Sequence, residues 1–199
     1  MSQQIKTAIL FSGRGSNMLS LADHMARADV PAQLVLTICN RPQAAGITHA
    51  KNRGLPCEII DHTEFASRAD FEAAMQKELA KAEVELICAA GFMRLLTPAF
   101  VAHWQGRLLN IHPSLLPKHR GLNTHQAALD AGDKWHGCTV HYMQAEMDDI
   151  GENEAGLLVQ RRVPILPDDR PDTLAARVVE QEHTAYPEAL DIVLAKLRA

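Results

Sequence analysis

Short apolar runs recur along the chain, each closed by a polar or glycine-rich break, and stretches of helical periodicity lie between them. Lys6 to Phe11 is β-branched and apolar and breaks at Ser12-Gly13-Arg14-Gly15-Ser16-Asn17, after which Met18 to Met25 repeats its apolar residues at helical spacing. Leu34 to Cys39 is a second buried strand, followed by a helix from about Ala44 to Asn52 that stops at Gly54. Cys57 to Ile60 reads as a short third strand. A long helix, roughly Phe65 to Ala82, is predicted from Phe71, Met75, Leu79 and Ala82. Val84 to Ala90 is another buried strand. Thr97 before Pro98 then starts a helix as N-cap and first helical residue. Arg107-Leu108-Leu109 leads into a strand that closes at Asn110-Ile111-His112-Pro113. Gln126 to Ala131 is a short helix ended by Gly132, Gly137 to Met143 alternates as a strand, and Leu157 to Val163 is its hairpin partner. Pro171 to Leu197 is the closing helical segment, with Pro187 marking a break or kink. Strands alternating with helices predict an α/β fold: one open, mostly parallel twisted sheet, helices on both faces, and an antiparallel addition near the C-terminus.

Composition narrows this picture without changing it. The 199 residues suffice for one α/β domain and are short for two, so 1–199 is expected to be a single domain. Hydrophobic content of 47% and charged content of 22% are ordinary for a soluble globular protein. A net charge of −4 and few aromatic residues argue against a nucleic-acid surface. Cys39, Cys57, Cys88 and Cys138 are scattered, mostly inside apolar runs, which suggests buried thiols in a reducing compartment. The ten histidines show no His-x-x-x-His spacing, and no metal is expected. No apolar run is long enough to span a membrane, so the expectation is a cytoplasmic protein with small-molecule partners.

The chemistry concentrates at Asn110 and His112. Two residues apart on a strand, they share a face and lie about 6–7 Å apart, at the carboxyl end where open α/β sheets bind ligands. An amide can donate to a developing oxyanion, and an imidazole moves protons near neutral pH. Two satisfied polar groups capping a strand would look the same. The Ser12 to Asn17 turn is laid out to aim backbone N–H groups at one phosphate, yet lacks the Walker Gly-Lys-Ser/Thr and the dinucleotide third glycine. An ordinary tight turn is its alternative. Ser114 stands without a Gly-x-Ser-x-Gly elbow, which sets aside a serine hydrolase.

The run Asn110 to Pro117, with Lys118 and Gly121 after it, closely resembles the signature of the folate-dependent formyltransferases. The resemblance extends from the Ser12–Asn17 loop to Glu182-His183. It implies a Rossmann-like formyltransferase fold and transfer of a formyl group from 10-formyltetrahydrofolate to the amine of glycinamide ribonucleotide in purine synthesis. It implies Asn110, His112 and Asp148 as the catalytic set, although Asp149 is adjacent and stays open. Gly15, Ser16, Asn17 and Arg68 would hold the ribonucleotide phosphate, and Glu182 the amine-bearing end. Gly91-Phe92-Met93-Arg94-Leu95-Leu96, with Asn110 and Asp148, would line the folate site. His141 would support the Asp–His arrangement. For Arg68 an ordinary surface arginine, for His141 a satisfied core histidine, and for the 92–96 side chains plain core remain alternatives. A monomer or weak homodimer is expected.

The chain departs from that family's pattern at three places. Arg120 stands where a proline is usual, and Asn123 where a histidine or another residue can stand. After the aspartate the family runs Asp-x-Gly-Pro directly into a strand ending in Gln. In this chain the segment Asp148 to Gly156 intervenes before Leu157 and Gln160, with four acidic residues, two glycines and no proline. With so little apolar surface it is expected to be mobile without folate and to order on binding. A formyltetrahydrofolate hydrolase shares the Asn-x-His…Asp core but carries an N-terminal regulatory domain. A methionyl-tRNA formyltransferase carries a tRNA-binding domain and a basic face. A folate- or nucleotide-binding protein with impaired activity is the non-enzymatic alternative.

Overall fold

The computed structural model describes residues 4–144, 150 and 154–199. Strands β1 (Ile5–Phe11), β2 (Ala32–Cys39), β3 (Cys57–Ile59), β4 (Leu86–Ala89), β5 (Leu108–His112), β6 (Trp135–Tyr142) and β7 (Leu157–Pro164) form one seven-stranded sheet. Its order is β3-β2-β1-β4-β5-β6-β7, parallel from β3 to β5 and antiparallel from β5 to β7. Helices α1 (Ser16–Met25), α2 (Ala45–Asn52), α3 (Arg68–Lys81), α4 (Pro98–His103) and α5 (Thr124–Asp130) fill the connections, and α6 (Pro171–Leu197) follows β7.

The strands are apolar on both sides because helices cover both sides. Ile9, Phe11, Cys88, Leu109 and Ile111 pack with α1, α2 and α6 through Met18, Leu21, Ile47, Ala50, Val178 and Tyr186. The alternate residues Ala8, Leu10, Ile87, Ala89 and Leu108 pack with α3 and α4 through Phe71, Met75, Leu79, Phe100 and Val101. Strand order reverses between β1 and β4, since β2 and β3 lie on one side and β5 on the other. That reversal opens a crevice at the strands' carboxyl ends.

The expected elements are all present, with boundaries moved by local chemistry. Phe65 lies outside the third helix, because Ser67 is its N-cap and accepts a hydrogen bond from the Asp70 N–H. Before it, His62–Glu64 is a 3₁₀ turn, and Phe65 is extended with its ring against Phe71. Thr97 caps α4 as expected. The short helix α5 starts two residues before Gln126. Of the break or kink foreseen at Pro187, the break does not occur: Pro187 lies inside α6, which continues as helix to Leu197. Pro187 follows Tyr186, whose buried hydroxyl reaches the carbonyls of Ala89 and Leu109 at 3.0 and 3.2 Å. That anchor fixes α6 across β4 and β5, and it sets what the preceding turn of α6 presents to the crevice. No helix among the described residues is long and apolar enough to cross a membrane.

Candidate active site

Three segments leave the sheet at the switch point: the glycine loop after β1, residues 91–96 after β4, and Asn110 and His112 at the end of β5. The glycine loop owes its shape to two close approaches. Gly15 has φ +78°, a left-handed conformation that glycine adopts at no cost, immediately before the first residue of α1. Gly46, inside α2, donates its N–H to the Gly13 carbonyl at 3.0 Å. A β-carbon on Gly46 would lie 2.6 Å from the Phe11 ring and 2.8 Å from that carbonyl. The loop therefore sits on α2 as well as at the N-terminus of α1.

Ser12 ties this loop to the next. Its hydroxyl donates to Asn40 at 2.5 Å and accepts the Met93 N–H at 2.7 Å, while its own N–H donates to the Gly91 carbonyl. Neither Ser12 nor Asn40 was among the expected site residues. The available signal was a polar residue closing each of two otherwise apolar strands. Within residues 91–96 the side chains divide. Phe92 stacks on Phe71, and Phe92 and Leu96 are buried in the core, so they can offer a ligand only backbone. Met93 and Leu95 are 52% and 56% exposed and supply the apolar rim. Glu72, buried on α3, accepts the Thr97 N–H at 2.6 Å and holds the far end of this segment.

Asn110 and His112 are both buried and share a face with their β6 partners, since Asn110 pairs with His141 and His112 with Thr139. His141 donates from Nδ1 to the Tyr142 carbonyl at 3.0 Å, which leaves Nε2 to accept from the Asn110 amide at 3.3 Å. His141 thus fixes which way the Asn110 amide points. The second N–H of that amide is the one available to an incoming oxygen. His112 donates from Nε2 to the His119 carbonyl at 2.9 Å.

From the other face, α6 delivers Glu182 one turn before the Tyr186 anchor. Glu182 is 6% exposed and accepts from the Asn17 amide of α1 at 2.8 Å. Burial pushes the Glu182 carboxyl above the usual carboxylate range, offset in part by the Asn17 hydrogen bond and by the nearby charge of His112. Among the described residues, the side-chain oxygen Oδ1 of Asn17 is buried without a hydrogen-bond partner, as is Arg94 Nε. Unsatisfied polar atoms beside a crevice suit a polar ligand better than an empty site.

The structure thus gathers Gly15, Ser16, Asn17, Glu182, Asn110 and His112 around one crevice, with Arg94 and the Met93–Leu95 rim on its β4 side. Arg68 is different: it is exposed at the first residue of α3, on the opposite face of the sheet from α1. One phosphate held by both Arg68 and the glycine loop would have to lie over the sheet's carboxyl edge. Asp148 and Asp149 lie outside the described residues, as does much of the 148–156 segment. Among the described residues, no group of three or more His, Cys, Asp or Glu side chains is arranged to hold a metal.

Comparisons with known proteins place the fold and the sequence in one family. The profile of the formyl transferase family matches residues 5–190. The chain is 39% identical to the phosphoribosylglycinamide formyltransferase of Haemophilus influenzae, over 92% of this chain and 84% of that protein. It is 45% identical to the trifunctional purine biosynthetic protein adenosine-3 of Drosophila melanogaster, over 98% of this chain but only 14% of that protein. Among solved structures, phosphoribosylglycinamide formyltransferase from Brucella melitensis superposes with a TM-score of 0.88 at 41% identity, covering 97% of each chain.

Proposed function

The chain belongs to the formyl transferase family, and from that premise we propose that it transfers a formyl group from 10-formyltetrahydrofolate to the amine of glycinamide ribonucleotide in purine synthesis. The observation that carries the reading is the meeting of Asn110 and His112, at the end of β5, with the buried Glu182–Asn17 pair from α6 and α1. The co-substrate 10-formyltetrahydrofolate supplies the formyl carbon and a leaving nitrogen. Asn110, its amide oriented by His141, donates to the oxygen that gathers negative charge as the amine attacks. His112 moves a proton between the attacking and leaving nitrogens, and Asp148, outside the described residues, is the carboxylate proposed to favour its charged form. Glu182 receives the amine-bearing end, where N–H of the neutral amine or a ribose hydroxyl would donate to its buried carboxyl. Gly15, Ser16 and Asn17 offer backbone N–H groups and the α1 terminus to the phosphate, with Arg68 as the cation reaching over the edge. Folate lies against Met93 and Leu95, with the backbone of Phe92, Arg94 and Leu96 reading its polar ring. The whole chain acts as one catalytic domain, a cytoplasmic monomer or weak homodimer that uses no metal and no nucleic acid.

The test is formyl transfer assayed with and without the ribonucleotide. Formylated product that needs the ribonucleotide is expected; deformylation without any acceptor would instead make the protein a hydrolase. Asn110→Ala and His112→Ala should each lower kcat about 10²–10⁴-fold. Near-normal turnover in either variant would overturn the catalytic roles of the pair. Asp148→Asn should be as severe and Asp149→Asn mild, and the reverse result would move the carboxylate one residue along.

A further inference from the structure

The antiparallel register of β5, β6 and β7 sets three residues in a row across the sheet: His112 opposite Thr139, and Thr139 opposite Gln160. The chain leaving His112 turns back over the outer part of that row. The Thr139 hydroxyl donates to the Ser114 carbonyl at 2.7 Å, accepts the Leu116 N–H at 3.1 Å and accepts Gln160 Nε2 at 2.9 Å. Its single hydrogen and both lone pairs are used. Gln160 Nε2 also donates to the Leu116 carbonyl at 3.0 Å, so both amide hydrogens are used and the amide has one orientation. Thr124 donates to the Pro113 carbonyl and Ser114 to the Lys118 carbonyl, each at 2.7 Å. Residues 113–118 are thus held chiefly by side chains. The next carbonyl along, that of His119, receives His112 Nε2.

We infer that Gln160 and Thr139 form a latch whose work is to place the His119 carbonyl, and so to fix the tautomer and ring orientation of His112. A carbonyl only accepts, so while it stays within reach the hydrogen of neutral His112 rests on Nε2, and Nδ1 is the nitrogen that takes and releases the proton. Gln160 is a positioning residue. It stands on the outermost strand, two strands from His112, and acts through Leu116 and the segment to His119.

The inference deepens the formyl-transfer reading and rests on it for its kinetic consequence, though not for its structural one. Gln160→Leu keeps the size of the side chain and removes both donors, and Thr139→Val does the same for the hydroxyl. Both should lower kcat about tenfold, the scale of a small misplacement of a catalytic group, and leave each KM within about twofold. The pH dependence of kcat should shift, and Thr139→Ser, which keeps the hydroxyl, should restore rate and profile. Independently of turnover, nitrogen-15 NMR of the imidazoles should show His112 as the Nε2–H tautomer in the wild type and as a tautomer mixture in Gln160→Leu. An unchanged pure tautomer and pH profile, with only a lower Tm, would make the pair structural and overturn the proposal. If no formyl transfer were found in the wild type, the imidazole spectra would still decide the latch. If Thr139→Val failed to fold, Gln160→Leu on the edge strand would decide alone.

Discussion

Glu182 shows at a single residue how stability and a proposed role pull apart. A carboxyl held above its ordinary range binds protons more readily folded than unfolded. Its burial therefore favours the folded state at low pH, and that advantage is lost as pH rises through the folded value. Glu182→Gln, which removes the charge and keeps the shape, should raise Tm at neutral pH. It should also raise KM for the ribonucleotide and leave that for folate nearly unchanged. Thermal melts with steady-state kinetics check this; a lower Tm with unchanged KM would take the amine away from Glu182. His136 illustrates the opposite sign. It is 1% exposed, its Nε2 lies 3.0 Å from His125 Nδ1, and its ring is 6.2 Å from that of His119. Burial, then His125 and His119, lower its pKa to about 4, against a weaker pull upward from Asp133. The unfolded chain takes up this proton near pH 6.5 and the folded one does not. The resulting stability is complete above about 6.5 and drains away as pH falls toward about 4. His136→Gln should flatten the fall of Tm across that window, and an unchanged slope would show that other groups govern it.

At the scale of elements, the glycine loop depends on α2 as much as on α1. A β-carbon at Gly46 meets backbone and a buried ring, neither of which yields easily. Gly46→Ala should lower Tm and raise KM for the phosphate-bearing substrate, while the folate constant stays near normal. Arg68→Ala should move the same constant if its side chain reaches the phosphate. An equal effect on both substrates would assign Arg68 elsewhere, in keeping with its position on the far face of the sheet from α1. Equilibrium binding of each substrate to both variants separates these outcomes. The helix α6 has an equally local logic, since Tyr186 and Glu182 stand one turn apart on the same side. The anchor that fixes α6 to β4 and β5 thereby points the carboxylate at the crevice.

For the whole molecule, the two helix layers bury their apolar residues against opposite faces of one continuous sheet. Neither layer keeps a core if the sheet is lost. Calorimetry should accordingly record one cooperative unfolding transition, and two resolved transitions would divide the chain into separate units. Sedimentation at micromolar concentration tests whether the protein is a monomer or a weak homodimer. The two layers also explain the division of labour in the site. The α1–α6 side brings the polar pair Asn17–Glu182, the α3–α4 side brings the apolar rim, and β5 places Asn110 and His112, the groups proposed to react, at the edge between them.

The chain's own pattern determined much of this. Buried strands announced themselves as apolar runs because both faces are covered, and Thr97-Pro98 and the Asn-x-His-Pro stop are local signals that read without a fold. The formyltransferase signature picked out Asn110 and His112, and strand periodicity alone put them on one face. Other features needed the tertiary structure, because they arise from residues far apart in sequence. Asn17 meets Glu182 across 165 positions, and Ser12 meets Asn40 and Met93 across 28 and 81. Phe92 and Leu96 look the same in sequence as Met93 and Leu95, yet Phe92 packs on Phe71 and Leu96 joins the same core cluster, while Met93 and Leu95 stay at the rim. Pro187 reads as a helix breaker by composition, but α6 is held along its length by the sheet and by the Tyr186 anchor, and it passes through. Periodicity reports which side of an element is buried; which distant residue it is buried against is decided only when the sheet is assembled.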